Sequence, residues 1–284
     1  MNLKETLNAT GETLIETGSP DAQLEAEVLI RHVLRIDRAT FLRDLEEPVT
    51  EYDRERLDGL VARRLRREPL NYITGFREFY GLSFEVSDGV LIPRQETELL
   101  VDTVIALARS RPKSEMKICD VGTGSGAIAI SLAVHLPSAE IMATDISQRA
   151  LDIADSNRRT HGVYNRVALR CGNLLEPIDY KPEIIVSNPP YIREGDLLFL
   201  QPEIQYEPRV ALDGGTDGLE LIRGLLSQSL DKVSSTGAIL FEIDAAQENS
   251  ARILSREYFP NSEISVLDDL SGDSRAILIE KFSQ

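Results

Sequence analysis

The chain has 284 residues, 42% hydrophobic and 27% charged, enough for one large or two ordinary domains and too apolar for disorder. Its formal net charge of −16 argues against a general nucleic-acid binder, which needs a basic face to neutralise phosphates; only a local basic face stays open. Two cysteines with no paired spacing, three isolated histidines, no apolar leader and no run of membrane-spanning length argue against a disulfide, a metal site and a membrane anchor.

Taken in order, residues 1–68 read as a small all-helical domain. Leu3, Leu7, Leu14 and Ile15 form one stripe. A second helix is expected to start at Ser19-Pro20-Asp21, with Pro20 in its first turn, and to present Leu24, Val28, Leu29 and Val33. His32 on that helix reads as a packed or surface histidine. A third helix runs from Thr50, its N-cap, to Arg67. The arginines at 63, 64, 66 and 67 suit the dipole of a solvated helix end. In an acidic chain they also offer a contact for an acidic partner or RNA.

Residues 69–98 form a linker. The stretch 69–75 reads as loop, and 76–84 with 86–92 as a β-hairpin with turn signals at Gly81 and Asp88-Gly89. Acidic residues after Pro93 open a helix over 99–109. From Lys117 onward, within 99–284, strands and helices alternate, which predicts a mostly parallel sheet with crossover helices. Strands are expected at 117–121, 141–144, 167–170, 183–187, 237–243, 263–267 and 276–282, and helices at 127–135, 150–159 and 219–233. Cys119 and Cys171 fall in or beside these apolar runs and read as buried free thiols.

Gly122-Thr123-Gly124-Ser125-Gly126-Ala127, after one strand and before a helix, allows a tight turn and a ligand against bare backbone. Asp145 ends the next strand, where a carboxylate can take both hydroxyls of a ribose. A helix N-cap is its other reading, a role Ser147 fills equally well. The pattern fits a nicotinamide dinucleotide and S-adenosylmethionine alike.

The strand at 183–187 runs into Asn188-Pro189-Pro190-Tyr191. Proline has no N–H and a fixed φ, so the ladder stops there. The tip carries one side-chain amide, two carbonyls without competing donors and an aromatic ring. Asn188 Oδ1 and the Pro189 carbonyl can each accept one hydrogen of a planar NH2, and Tyr191 can stack on its face. An ordinary loop with turn prolines is the plainer reading. Hydride transfer has no use for such a tip, whereas methyl transfer to an amide or amino nitrogen does.

With these motifs the chain resembles the class I S-adenosylmethionine-dependent methyltransferases that modify planar nitrogen. Residues 91–98, 120–130, 144–147, 188–192, 206–208 and 213–219 are together similar to the protein-(glutamine-N5) methyltransferases that act on peptide chain release factors. The resemblance implies a Rossmann-like sheet of seven strands, the last antiparallel, behind a helical N-terminal domain and a β-hairpin linker. It implies methylation of the glutamine in the Gly-Gly-Gln tip of release factors; the residues themselves read as a cytoplasmic protein without a metal, and a monomer is expected. S-adenosylmethionine would be held by Gly122, Thr123, Gly124, Ser125, Gly126, Asp145, Asn173, Leu174 and Asn188. Asn188, Pro189 and Tyr191 would be catalytic, and with Pro190 would hold the substrate. The N-terminal helices and the arginine cluster would help dock the release factor. Three positions depart from the family pattern: Gln95 stands where proline is usual, Asn173 where aspartate is usual, and Asp244 where glycine usually follows Glu242-Ile243. Two rivals remain: an N6-adenine nucleic-acid methyltransferase with the same tip, and a binding protein or nicotinamide enzyme on the same scaffold.

Overall fold

The computed structural model describes residues 1–111 and 116–281. They form two compact units, one of residues 1–76 with 201–206 and one of 77–200 with 207–284.

The first unit is helical. Its helices are α1 (Leu3–Leu14), α2 (Ala22–Leu34), α3 (Arg38–Arg43), α4 (Glu51–Leu65) and α5 (Leu70–Thr74). Their starts are chemically fixed. Asn2 and Glu5 make a reciprocal capping box on α1, and Asp37 and Thr50 accept the third N–H of α3 and α4. Leu14, Leu29, Ile30, Phe41 and Leu57 fill the core between them. Pro20 lies in the turn ahead of α2, which starts at Ala22, and not in its first turn. The expected loop at 69–75 contains α5, a single turn closed by Gly75 at φ +82°.

The arginine cluster is largely committed within this unit. Arg63 pairs with Glu68 at 2.5 Å. Buried Arg64 holds Glu25 at 2.8 Å and Glu203 at 2.9 Å, and Arg67 holds Glu203 at 2.7 Å. Burial opposes ionisation of Glu203, but Arg67 and Arg64 pull its pKa down to about 2. Tyr206 donates to the Arg66 carbonyl at 2.6 Å. Of the four arginines only Arg66 is left exposed with no ion pair among the described residues. Arg64→Ala would leave two carboxylates facing each other with one cation fewer. It is expected to destabilise the helical unit by about 3 kcal/mol, read from urea unfolding.

A hairpin, β1 (Phe76–Phe79) and β2 (Leu82–Glu85), leads into the second unit. Tyr80 and Gly81 both take positive φ, so the turn falls at Gly81. Residues 86–92 are not a strand: the chain turns at 87–90 and buries Val86, Val90 and Ile92 as loop side chains. After α6 (Glu98–Ser110) come β3 (Met116–Val121), α7 (Ala127–His135), β4 (Ala139–Asp145), α8 (Gln148–Thr160), β5 (Val167–Cys171) and β6 (Ile184–Ser187). A long connection of short turns leads to α9 (Glu220–Lys232), β7 (Ala238–Glu242), α10 (Glu248–Tyr258), β8 (Glu263–Asp268) and β9 (Ser274–Glu280). The expected strand end at Phe282 lies outside the described residues.

Seven strands make one sheet in the order β5-β4-β3-β6-β7-β9-β8. β3 to β7 are parallel, and β9 runs antiparallel to both β7 and β8. The order reverses between β3 and β6, so a crevice opens beyond their carboxyl ends. Ile118, Ile130, Leu132 and Ile141 pack under one face, and Ile185, Leu225, Phe241 and Ile277 under the other. Cys119 is buried as expected, but Cys171 is exposed, because it ends edge strand β5. Among the described residues no helix is long and apolar enough to cross a membrane.

Candidate functional site

The crevice holds a cavity of about 610 Å³. Gly122, Gly124, Asp145, Asn173, Leu174, Asn188 and Pro190 line it, with Val90 and Leu91 from the linker and Asp213 and Gly215 from the connection after β6. Residues from four separate strand ends therefore meet at one place. The glycine loop is shaped by three positive φ values, at Gly122, Gly124 and Gly126. A Cβ on Gly124 would meet nothing within 4 Å, so the bare backbone stands at open space.

Asp145 does not cap a helix. Ser147 Oγ caps α8 by accepting from Ala150 N, which leaves Asp145 to accept from Gly124 N at 2.9 Å and Ser147 N at 2.9 Å. The same residue lines the cavity, so its carboxylate stands at the ligand space. Burial raises its pKa against the pull of the Ser147, Gly124 and Ile146 N–H groups. Asp120, at the foot of the same loop, is fully buried. Its Oδ2 takes Thr123 Oγ1 at 2.6 Å and Ala129 N at 3.1 Å, while Oδ1 has no partner among the described residues. Burial, with Asp145 adding to it, lifts the Asp120 carboxyl to about 7. A carboxylate on the cavity wall with a second carboxyl buried behind the same loop favours a cationic ligand by charge.

The tip at Asn188 is held from behind. Asn188 Nδ2 donates to Thr97 Oγ1 at 3.0 Å, and Thr97 Oγ1 donates to Glu242 Oε2 at 2.7 Å. The Tyr191 hydroxyl donates to Glu242 Oε1 at 3.3 Å. Burial, first, and the Glu242 charge beside it raise the Tyr191 pKa, so the phenol stays protonated. Gln247 Nε2 donates to the Tyr191 carbonyl at 2.9 Å and the Gly218 carbonyl at 3.2 Å. Asp244 caps the turn that carries Gln247, with a φ of −73° that needs no glycine; this explains how the departure at 244 is accommodated. Buried Glu207 joins two sequence motifs by accepting from Arg94 at 2.6 Å and from Ile92 N at 3.3 Å.

Thr123, Ser125, Gly126, Pro189 and Tyr191 do not line the cavity. Thr123 braces Asp120, and Gly126 starts α7 where a Cβ would strike Ile130 at 2.8 Å. Pro189 is buried, and the Tyr191 hydroxyl points to Glu242. Sequence reasoning missed Thr97, Glu207, Glu242 and Gln247 as supports. Glu242 had left a trace: a lone carboxylate ending an otherwise apolar strand whose five residues are all buried. Gly214 has a comparable hidden role. A Cβ there would lie 2.8 Å from the Pro190 carbonyl, Tyr191 Cα and the Gly218 carbonyl. Gly214→Ala is expected to displace the tip and lower turnover by about 10-fold or more at a stability cost of about 1–3 kcal/mol, read from steady-state rates and thermal melting.

Two family models match, the PrmC N-terminal domain over residues 5–75 and the methyltransferase small domain over residues 95–202. A release factor glutamine methyltransferase of Moorella thermoacetica is 39% identical over 98% of this chain and 98% of its own. The chain belongs to the release factor glutamine methyltransferase family. Another member, from Geobacter sulfurreducens, is 40% identical over 86% of this chain and 85% of its own. The fold extends further: a methyltransferase structure from Pyrococcus furiosus superposes with a TM-score of 0.52 at 16% identity, covering 72% of this chain and 90% of that one.

Methyltransferases of this class use S-adenosylmethionine, and the residues present fit it. The open backbone at Gly124 and the Asp145 carboxylate, both on the cavity wall, match a ligand with ribose hydroxyls and positive charge. Among the described residues no group of three or more His, Cys, Asp or Glu side chains could hold a metal ion.

Proposed function

We propose that this methyltransferase transfers the methyl group of S-adenosylmethionine to the side-chain nitrogen of the glutamine in the Gly-Gly-Gln tip of a peptide chain release factor. The observation that carries the reading is that Asn188, anchored by its nitrogen to Thr97, lines the same cavity as Asp145 and the glycine loop. The names of its relatives supply the substrate.

A carboxamide nitrogen is a weak nucleophile, because its lone pair is shared with the carbonyl. The bound sulfonium supplies a strongly electrophilic methyl carbon. The chain's own work is therefore positioning and electrostatics. Asn188, which lines the cavity, would accept one amide hydrogen at Oδ1, and the Pro189 carbonyl, buried beside it, is the acceptor proposed for the second; together they would aim the nitrogen at the methyl group. Gly122, Thr123, Gly124, Ser125 and Gly126 form the loop that seats the cofactor. Asp145 would take its ribose, and Asn173 and Leu174, which line the same cavity, would hold its base. Pro190 forms part of the cavity wall beside the nitrogen, and Tyr191 braces the tip from behind through Glu242. As the new nitrogen–carbon bond forms, the bond from that carbon to sulfur breaks, S-adenosylhomocysteine keeps the electron pair, and the nitrogen gives up one proton to water.

The test is methyl transfer from labelled cofactor to a purified release factor, to the same factor with its Gly-Gly-Gln glutamine replaced, and to bulk DNA and RNA. Label on the intact factor alone is the expected result. Label on nucleic acid would move the chain to adenine N6 and overturn the reading.

A further inference from the structure

Resting on the reading above, one question about Asn188 remains: what decides which end of its carboxamide meets the substrate? The two ends are nearly equal in shape and opposite in hydrogen bonding. Only Oδ1 can accept the hydrogens of the incoming NH2; a flipped amide would oppose donor to donor. Thr97 Oγ1, at 3.0 Å, is the neighbour that selects between them. A hydroxyl carries one proton. Thr97 gives it to Glu242 Oε2 at 2.7 Å, and an ionised carboxylate can only accept. Toward Asn188, Thr97 then shows lone pairs alone. These accept Nδ2 and reject Oδ1. Among the described residues no hydrogen bond reaches Asn188 Oδ1, which leaves that end for a ligand.

We infer that Thr97 and Glu242 are positioning residues that set the polarity of Asn188: the buried carboxylate orders the hydroxyl, and the hydroxyl turns Asn188 Oδ1 toward the reacting nitrogen. Both act through Asn188 and neither touches the substrate. Both are buried, so water does not offer Thr97 another acceptor.

The relay is tied to protonation. Burial lifts Glu242 to about 7, with Glu96 adding to it and Arg275 opposing it. Arg275 from β9 is itself paired with Asp269 at 3.0 Å. Tyr191, the other group on the carboxylate, stays a donor across this range, with Arg94 and Arg275 facing it. Below that point Glu242 carries a proton of its own to donate, the Thr97 hydroxyl is released to donate to Asn188, and the amide can turn over. Above it only the productive polarity is satisfied. Turnover should therefore rise with pH as Glu242 ionises.

The experiment compares Thr97→Val, Thr97→Ser and Glu242→Gln with the parent enzyme, using purified release factor and saturating S-adenosylmethionine. Thr97→Val keeps the shape and removes the relay. Its kcat is expected to fall about 10- to 100-fold, with cofactor Kd held within about threefold. Thr97→Ser keeps the hydroxyl and should restore most of the rate. Glu242→Gln keeps an acceptor for Thr97 at every pH, so the rise of kcat near neutrality should disappear. A second readout needs no substrate: hydrogen exchange of the Asn188 side-chain amide protons, followed by NMR of the cofactor complex. Slow exchange in the parent and fast exchange in Thr97→Val are expected. Parent-like turnover in Thr97→Val, an unchanged pH rise in Glu242→Gln, or equal exchange in the two proteins would overturn the inference. A parent enzyme that leaves the release factor unlabelled would refute the proposed activity, while the exchange measurement would still decide the polarity relay.

Discussion

Asn188→Ala is expected to lower kcat on a release factor by about two to three orders of magnitude, the range typical of removing one preorganised group at a reacting centre. Cofactor affinity should change by no more than about threefold if, as proposed, Asp145 and the glycine loop on the same cavity wall hold the ligand. The split follows from the tip's construction. Asn188 stands where β6 ends and two prolines forbid further pairing, so the backbone is stiff without the side chain. Alanine therefore removes the acceptor without loosening the strand. It also frees the Thr97 hydroxyl, but its bond to Glu242 remains and no buried charge is uncovered. Stability should fall by only about 1 kcal/mol. Equilibrium binding of the cofactor, single-turnover rates and a thermal melt separate the three quantities. A variant with unimpaired turnover would sink the grip on the amide nitrogen.

The parts of this molecule written in local signals were legible in its sequence. Strand-turn-helix at 117–135 needs only a run of apolar residues, glycines that tolerate positive φ and a helix-forming stretch, and the boundaries of α7 fell where expected. The seven-stranded sheet with its antiparallel member came by resemblance to a family, not from periodicity. The shortest elements were invisible. α5 is one turn long and shows no period; α10 does carry a helical stripe, with Ala251, Leu254 and Ser255 on its buried face, and the sequence reading passed over it. Residues 86–92 alternate like a strand yet have no partner strand to pair with. Least legible were the supports of the site. Arg94 meets Glu207 across 113 positions and Thr97 meets Glu242 across 145, separations over which no local pattern operates. Thr97 looked like an ordinary residue of a helix start, and it caps nothing there. Its role follows from the fold bringing the linker to the ends of β6 and β7.

Asp145→Ala should give the opposite split from Asn188→Ala, with the loss falling on the cofactor. Two hydrogen bonds from ribose hydroxyls to a charged acceptor are each worth about 1.5–3 kcal/mol, so affinity for S-adenosylmethionine should drop by at least about 100-fold. Part of that loss is indirect. The carboxylate also ties Gly124 N and Ser147 N, and without it the glycine loop loses the bond that joins it to the end of β4. Asp145→Asn distinguishes the two contributions. Its oxygen can still accept from one backbone N–H, but its NH2 end must face a donor, so it keeps half the brace and half the ribose contact. An intermediate affinity, measured by calorimetry, is the expected result. The charge matters as well. Burial and the neighbouring Asp145 hold the Asp120 carboxyl near 7 in the free protein. Removing Asp145 lowers that value, and a bound cation lowers it further in either protein. Cofactor binding by the parent should therefore release protons near neutral pH, and binding by Asp145→Ala should release fewer. A parent-like affinity in Asp145→Ala would mean that the ribose is held elsewhere in the cavity and that this carboxylate serves the loop alone.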